Sequence, residues 1–299
     1  MIYYIFILLA VLAFTVQFVF TKCFSAASRE GSVTAFCMLI TVGLAGALAA
    51  LAAAGGQIRF SAASLLLGAI FAATMIPYHT LGVKALSLGD LTTYSIFMML
   101  GGMLLPFLYG LLWLSEPATP GKICGCVLLS IGIVWQGRSQ RGESQKKRTG
   151  MLYLLLCFII FVVNGLTGIL SQIHALRADT VDEVSFIFLS SVLTALFATV
   201  GLSVLLLSRG RKTGEDCKAF FTSSSFLFAV LLGFMMNIGN FLILLAAPHV
   251  GASIQFPLIS GGTILTSCVA AFLVFGERPR RREILPLLLT LLSTILFAF

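Results

Sequence analysis

Phe275-Gly276-Glu277-Arg278-Pro279 closes one long apolar run and leads into another, residues 284–299. A second copy of that arrangement lies earlier in the chain. There residues 92–114 run into Leu114-Ser115-Glu116-Pro117 and are followed by the apolar stretch 123–136. Glu116 and Glu277 are 161 positions apart, and the same offset pairs Gly101 with Gly262, Tyr94 with Gln255 and His79 with Asn240. An internal repeat fixes the architecture before any other feature does. This one divides the chain into residues 1–137 and 151–299, joined by a basic segment at 138–150.

The composition names the solvent. The chain of 299 residues is 59% hydrophobic and 10% charged, whereas a soluble chain carries about 25% charged residues. Several apolar runs approach the ~20 residues that cross a bilayer as helix. A barrel would instead show ~10-residue alternating strands. The expected fold class is therefore all-α integral membrane, with the lipid bilayer as its medium. The net charge of +8 does not mark a nucleic-acid surface. Thirteen of the nineteen Lys and Arg residues fall in three short stretches, 138–148, 209–218 and 278–282, with no interleaved aromatics. Basic clusters beside apolar runs are a topology signal.

Ten spans are expected: 2–21, 33–54, 62–82, 92–114 and 123–136 in the first half, then 151–173, 184–208, 226–247, 253–275 and 284–299 in the second. No basic residue precedes the first run and Lys22 follows it. That is the wrong polarity for a cleaved signal, so the run is read as a span. Five spans per repeat is an odd number, so the second half enters the membrane inverted, a plan common among carriers. Alternate loops hold sixteen Lys and Arg residues and the remaining loops three, Arg59, Lys122 and Arg177. The positive-inside rule then puts both termini outside and 138–148 in the cytoplasm.

With these residues in view, the chain resembles the drug/metabolite transporter superfamily, specifically its ten-helix EamA-like branch. The paired turns Ser115-Glu116-Pro117 and Gly276-Glu277-Arg278, at matched places in the two halves, carry the resemblance. It implies a multi-pass cell-membrane carrier that exports or exchanges small metabolites. Its cavity would be lined by the first four spans of each half. A small-molecule substrate, and a coupling proton or counter-substrate, would be its partners. One departure matters. The sequence Phe14-Thr15-Val16-Gln17 ahead of Thr21-Lys22 looks like the first helix of the superfamily's small multidrug pumps, which carry a glutamate where this chain has Phe14. That weakens the alternative of proton-coupled efflux of cationic drugs.

Polar groups inside hydrocarbon are costly and mark pathways. The candidate substrate-binding residues are Gln17, Tyr78, His79, Tyr94, Asn164, Asn237, Asn240, Gln255 and Ser260. Two readings fit them: the walls of one cavity, or hydrogen bonds between helices. The repeat pairs His79 with Asn240 and Tyr94 with Gln255, which favours facing walls. No Asp or Glu falls mid-span, which suits a neutral or zwitterionic solute. Glu116 and Glu277 precede short helices and are expected to cap their free amides. Asp179, Asp182 and Glu183 read as a solvated loop. Seven cysteines with no metal spacing read as core filler. No His-Glu-x-x-His, nucleotide loop or aspartate-rich metal motif occurs, so neither an enzyme nor a cofactor or metal is expected. A Ser–His pair in the membrane stays open, without a Gly-x-Ser-x-Gly to support it.

The orientation is testable. A single cysteine introduced at Ser144 should resist an impermeant thiol reagent in intact cells and label after permeabilisation. Ready labelling in intact cells would reverse the topology.

Overall fold

The computed structural model describes residues 2–28, 31–113, 119–141, 147–209, 211–246, 249–250, 252–277 and 281–296. Eleven helices occur among them: α1 (Ile2–Ala27), α2 (Ser32–Ala53), α3 (Ala62–Leu88), α4 (Leu91–Trp113), α5 (Pro120–Arg141), α6 (Lys147–Leu176), α7 (Glu183–Arg209), α8 (Arg211–Thr222), α9 (Ser224–Ala246), α10 (Ala252–Phe275) and α11 (Arg281–Leu296). No strand appears among the described residues. Eight helices, α1–α4, α6, α7, α9 and α10, are long and apolar enough to cross a membrane. The fold is that of an all-α, multi-pass membrane protein. The apolar stretches of α5 and α11 are shorter, Ile123–Gly132 and Leu287–Leu296. Large apolar side chains such as Leu48, Leu66, Leu207 and Leu273 stand exposed, which costs nothing against lipid.

Two sequence expectations change. The segment 138–150 is not a plain linker, because α5 continues to Arg141 and α6 begins at Lys147. The basic stretch 209–218 is not a loop but is taken up largely by α8. Both were polar enough to look like loop, yet a helix needs no apolar span to form.

The chain packs as two compact units, and each draws on both sequence halves. One comprises Met1–Thr15, Leu88–Ile169 and Leu242–Phe299; the other comprises Val16–Ser87 and Leu170–Phe241.

In the second of these units α2 lies along α7. A Cβ on Gly43 would sit 2.8 Å from the Ser191 carbonyl oxygen and 2.9 Å from the Ala195 nitrogen. The two backbones therefore touch, as small residues permit in lipid. α8 rests on α2 and α7, with Thr213 Oγ1 donating to the Leu205 carbonyl at 3.3 Å. The core there gathers Phe24, Val33, Met38, Val42, Phe220 and Leu232. At the end of α2, the Gly56 N–H reaches Leu51 O at 3.0 Å and the Gly55 N–H reaches Ala52 O at 3.2 Å. Gly55 has φ +59°. This is a Schellman stop that glycine makes without strain.

In the other unit α4 packs on α10 and α5 along α11. Gly101 of α4 lies so close to the Phe161 carbonyl of α6 that any side chain would collide. Gly262 of α10 likewise abuts Val11 of α1. Asp90 caps α4, its Oδ2 accepting the Thr93 N–H at 2.6 Å. Glu277 Oε2 accepts the Leu91 N–H at 3.2 Å. The Glu277 carboxylate thus serves the N-terminus of α4. Glu116 lies outside the described residues.

Gly43→Val should lower unfolding stability by about 1–3 kcal/mol, because backbone on the facing helix cannot yield as a side chain would. Gly214→Ala on α8 meets open space and should be neutral or stabilising by up to about 1 kcal/mol. Denaturation of the two variants in one detergent checks the contrast.

Candidate functional site

Three of the sequence candidates converge in the second unit. Gln17 of α1 and Tyr78 and His79 of α3 are all buried, at 3%, 7% and 4% exposure. The Gln17 side chain hydrogen-bonds the Tyr78 hydroxyl. The rings of Tyr78 and His79 meet edge to face, centroids 4.9 Å apart. Next to them Pro77 interrupts α3 from within, leaving the Ala73 carbonyl without its usual helical donor. His79 Nε2 is buried and finds no hydrogen-bond partner among the described residues. An unpaired buried polar atom costs roughly 1–3 kcal/mol, so its retention calls for a reason.

The amides on α9 behave differently. Asn237 Nδ2 donates to the Gly233 carbonyl of its own helix at 2.8 Å and lies against Gly46 of α2. Asn240 is half-buried.

The remaining candidates belong to the other unit. Asn164 Nδ2 donates to the Met98 carbonyl at 2.6 Å, which makes it a tie between α6 and α4. Tyr94 and Ser260 are buried, at 3% and 7% exposure. Gln255 lies in α10, its side chain outside the described set.

Sequence reading missed a run of hydroxyls in that unit. Ser267 bonds Ser95 across α10 and α4 at 2.8 Å. Thr15 and Thr266 share a short hydroxyl contact across α1 and α10. Thr263 Oγ1, fully buried, has no partner among the described residues. The signal was available: Ser260, Thr263 and Ser267 follow the three- and four-residue spacing of one helix face. It was hidden because a helical hydroxyl can bond its own preceding turn, as Thr266 does to Gly262 O at 2.8 Å.

A Ser–His pair also exists, at the helix ends of the second unit. Ser64 Oγ lies 3.1 Å from His174 Nε2. It also accepts the Val181 N–H at 3.0 Å and the Ser61 hydroxyl at 3.1 Å. Both of its lone pairs are thus used, so its own proton must go to Nε2, and His174 is neutral with the proton on Nδ1. Ser64 is fully buried, and His174 stacks on Phe186 at 3.9 Å. A hydroxyl held this way is a knot between α3, α6 and the α6–α7 turn, not a nucleophile. Asp182 belongs to the same knot. Its Oδ2 accepts the Ser185 N–H at 3.0 Å and its Oδ1 the Ser185 hydroxyl at 2.9 Å, so from the exposed loop expected for it Asp182 also caps α7. Asp179 is exposed and forks to Arg177 at 2.8 and 2.7 Å, a pair worth little in water.

No family model matches the chain, and no curated protein matches it. A crystal structure of another protein does share the fold. It superposes with a TM-score of 0.54 at 14% identity, over 98% of this chain and 94% of the other.

Burial holds the His174 imidazole below its ordinary value of 6.5, while Asp182 pulls it partly back. A histidine whose folded value is depressed favours the neutral form. Its stabilisation is complete above about 6.5 and is lost as pH falls toward the lower folded value. Melting temperature should therefore drop between pH 7 and pH 5. In His174→Gln, whose amide oxygen accepts the same bond without titrating, that drop should shrink. Superimposable pH curves would remove His174 from the account.

Proposed function

We propose that this protein is a secondary carrier of small organic solutes, neutral or zwitterionic, working by alternating access in the cell membrane. In this reading it has ten spans in two inverted five-helix repeats, both termini outside, and no enzymatic activity. One observation carries it. Val11 of α1 contacts Gly262 of α10, and Phe161 of α6 contacts Gly101 of α4. Adding 150 to Val11 gives Phe161, and subtracting 161 from Gly262 gives Gly101. The same two offsets turn the Thr15–Thr266 contact into Gly165–Leu105, also a contact. First and fourth spans thus meet crosswise, one half to the other, at equivalent residues. A two-fold axis produces that swap. In addition α2 packs on α7, α4 on α10 and α5 on α11, each helix against its own repeat counterpart. Both patterns support inverted halves, the plan on which many carriers are built.

The chemistry of the buried groups supports the solute class. Gln17, Tyr78 and His79 supply uncharged donors and acceptors, and the unpartnered Nε2 stands beside the Pro77 break, where carriers of this plan place sites. Asn240, the repeat partner of His79, is the facing contributor in this reading.

Purified protein in vesicles should pass at least one metabolite of a mixed uptake and counterflow screen. His79→Ala and Asn240→Ala should each cut that flux about tenfold, the equivalent of one lost hydrogen bond, with unchanged melting temperature. Wild-type flux in both variants would leave the pair as packing. Turnover of a substrate without flux would overturn the carrier.

A further inference from the structure

Cys37 and Cys217 are far apart in the chain and face to face in the fold. Cys37 is fully buried on α2; Cys217 is half-buried near the middle of α8. Their sulfurs are 3.7 Å apart. Phe24, Val33, Met38 and Phe220 of the same core pack around them, and no group of side chains able to hold a metal ion occurs among the described residues to account for the meeting. Filler explains one cysteine in a core. It does not explain two from different helices meeting sulfur to sulfur.

We infer that Cys37 and Cys217 are a disulfide-forming modification site, by which a hydroperoxide or a small disulfide staples α8 to α2. The accessible sulfur reacts first. Cys217 releases its proton to water and the thiolate attacks one oxygen of hydrogen peroxide; the S–O bond forms, the O–O bond breaks, and the departing hydroxide takes up that proton as water, leaving the sulfenic acid. The Cys37 sulfur then attacks the Cys217 sulfur. The S–S bond forms, the S–O bond breaks, and hydroxide leaves with the Cys37 proton as a second water. Two thiols are oxidised by one electron pair and one peroxide is reduced. A dithiol reductant reverses the step by exchange. The remaining travel is under 2 Å of sulfur movement (a bonded pair stands at about 2.05 Å), within reach of a side-chain rotation at the half-exposed partner.

The position of α8 gives the bond a consequence. α8 links α7 to α9 and touches α2 and α7. Most of its length is polar, with Glu215 and Lys218 exposed, and its seat includes the side chains of Thr213, Cys217 and Phe220. A bond at Cys217 fixes that seat to the start of the α2 span. On the orientation proposed above, which only this sentence rests on, α8 is cytoplasmic and the resting state is the dithiol.

The test uses the purified full-length protein in detergent, and so depends on neither orientation nor transport. Wild type is treated with hydrogen peroxide, quenched with an alkylating reagent and digested, and the linked peptides are read by mass spectrometry. A Cys37–Cys217 peptide should be the main cross-link, disappear with dithiothreitol, be absent in Cys217→Ser and persist in Cys23→Ser. Melting temperature should rise on oxidation in wild type and stay put in Cys217→Ser. Sulfinic acid at Cys217 without a cross-link, a main bond from either cysteine to Cys23 or to another chain, or a cross-link that leaves the melting temperature unchanged would each overturn the staple.

Discussion

The structure depends on helices being allowed to touch at the backbone. In lipid the apolar surface of a helix gains nothing by leaving the solvent, so association rests on contact and on polar pairs. Gly43 against Ser191, Gly101 against Phe161 and Gly262 against Val11 supply the contact. The polar pairs follow from it. A serine hydroxyl reaches only a short way from its helix, and the 2.8 Å bond between Ser95 and Ser267 needs α4 and α10 drawn close. The Asn164 bond to the Met98 carbonyl makes the same demand of α4 and α6, where Gly102 leaves room for the amide.

Charge is handled at the opposite extreme, at the ends of helices. Asp90 and Glu277 both serve the first turn of α4, and Asp182 serves α7. A carboxylate at a helix N-terminus meets free amides and the positive end of the dipole, so it is stabilised without entering hydrocarbon. Glu277 does this from 186 residues away in sequence, which ties the turn after α10 to the start of α4. The turn itself is possible because Gly276 takes φ +67°. The most recognisable short motif of the chain is therefore first of all a joint between helices.

How much of this the sequence disclosed depended on how much of each signal was local. The long apolar runs and the glycine stop at Gly55 were legible because span length and turn chemistry belong to the segment alone. The helix of Arg211–Thr222 was not, since its charged residues argue loop and the apolar part of its docking face, Cys217 and Phe220 among the described residues, is short. Glu277 was legible as a capping carboxylate but not as the cap of α4, which takes knowledge of what folds back on what. At the candidate site, Tyr78, His79 and Gln17 were found as rare polar groups in apolar runs, and they do lie together. Asn164 and Asn237 looked the same in sequence, yet both amides are spent on backbone carbonyls. Ser95, Thr263 and Ser267 were passed over because hydroxyls in apolar helices so often bond their own turn.

In the carrier reading proposed above, that distinction bears on which kind of ligand would fit. Nearly every buried polar side chain discussed above is satisfied within its own packing unit: amides on carbonyls, hydroxyls on hydroxyls, carboxylates on helix amides. Two atoms break the pattern among the described residues, His79 Nε2 and Thr263 Oγ1. A helix bundle that satisfies its other polar atoms so thoroughly has no stability reason to leave these open, because each costs as much as a tie such as Asn164 gives. An imidazole nitrogen can donate or accept, and a hydroxyl can do both. In that carrier reading, a ligand that brings its own amide, hydroxyl or water to His79 would recover that cost on entering and return it on leaving. A fixed buried charge would bind more tightly and release more slowly. On the same proposed reading, an open, uncharged imidazole beside the Pro77 break is the arrangement expected where occupancy has to be reversible.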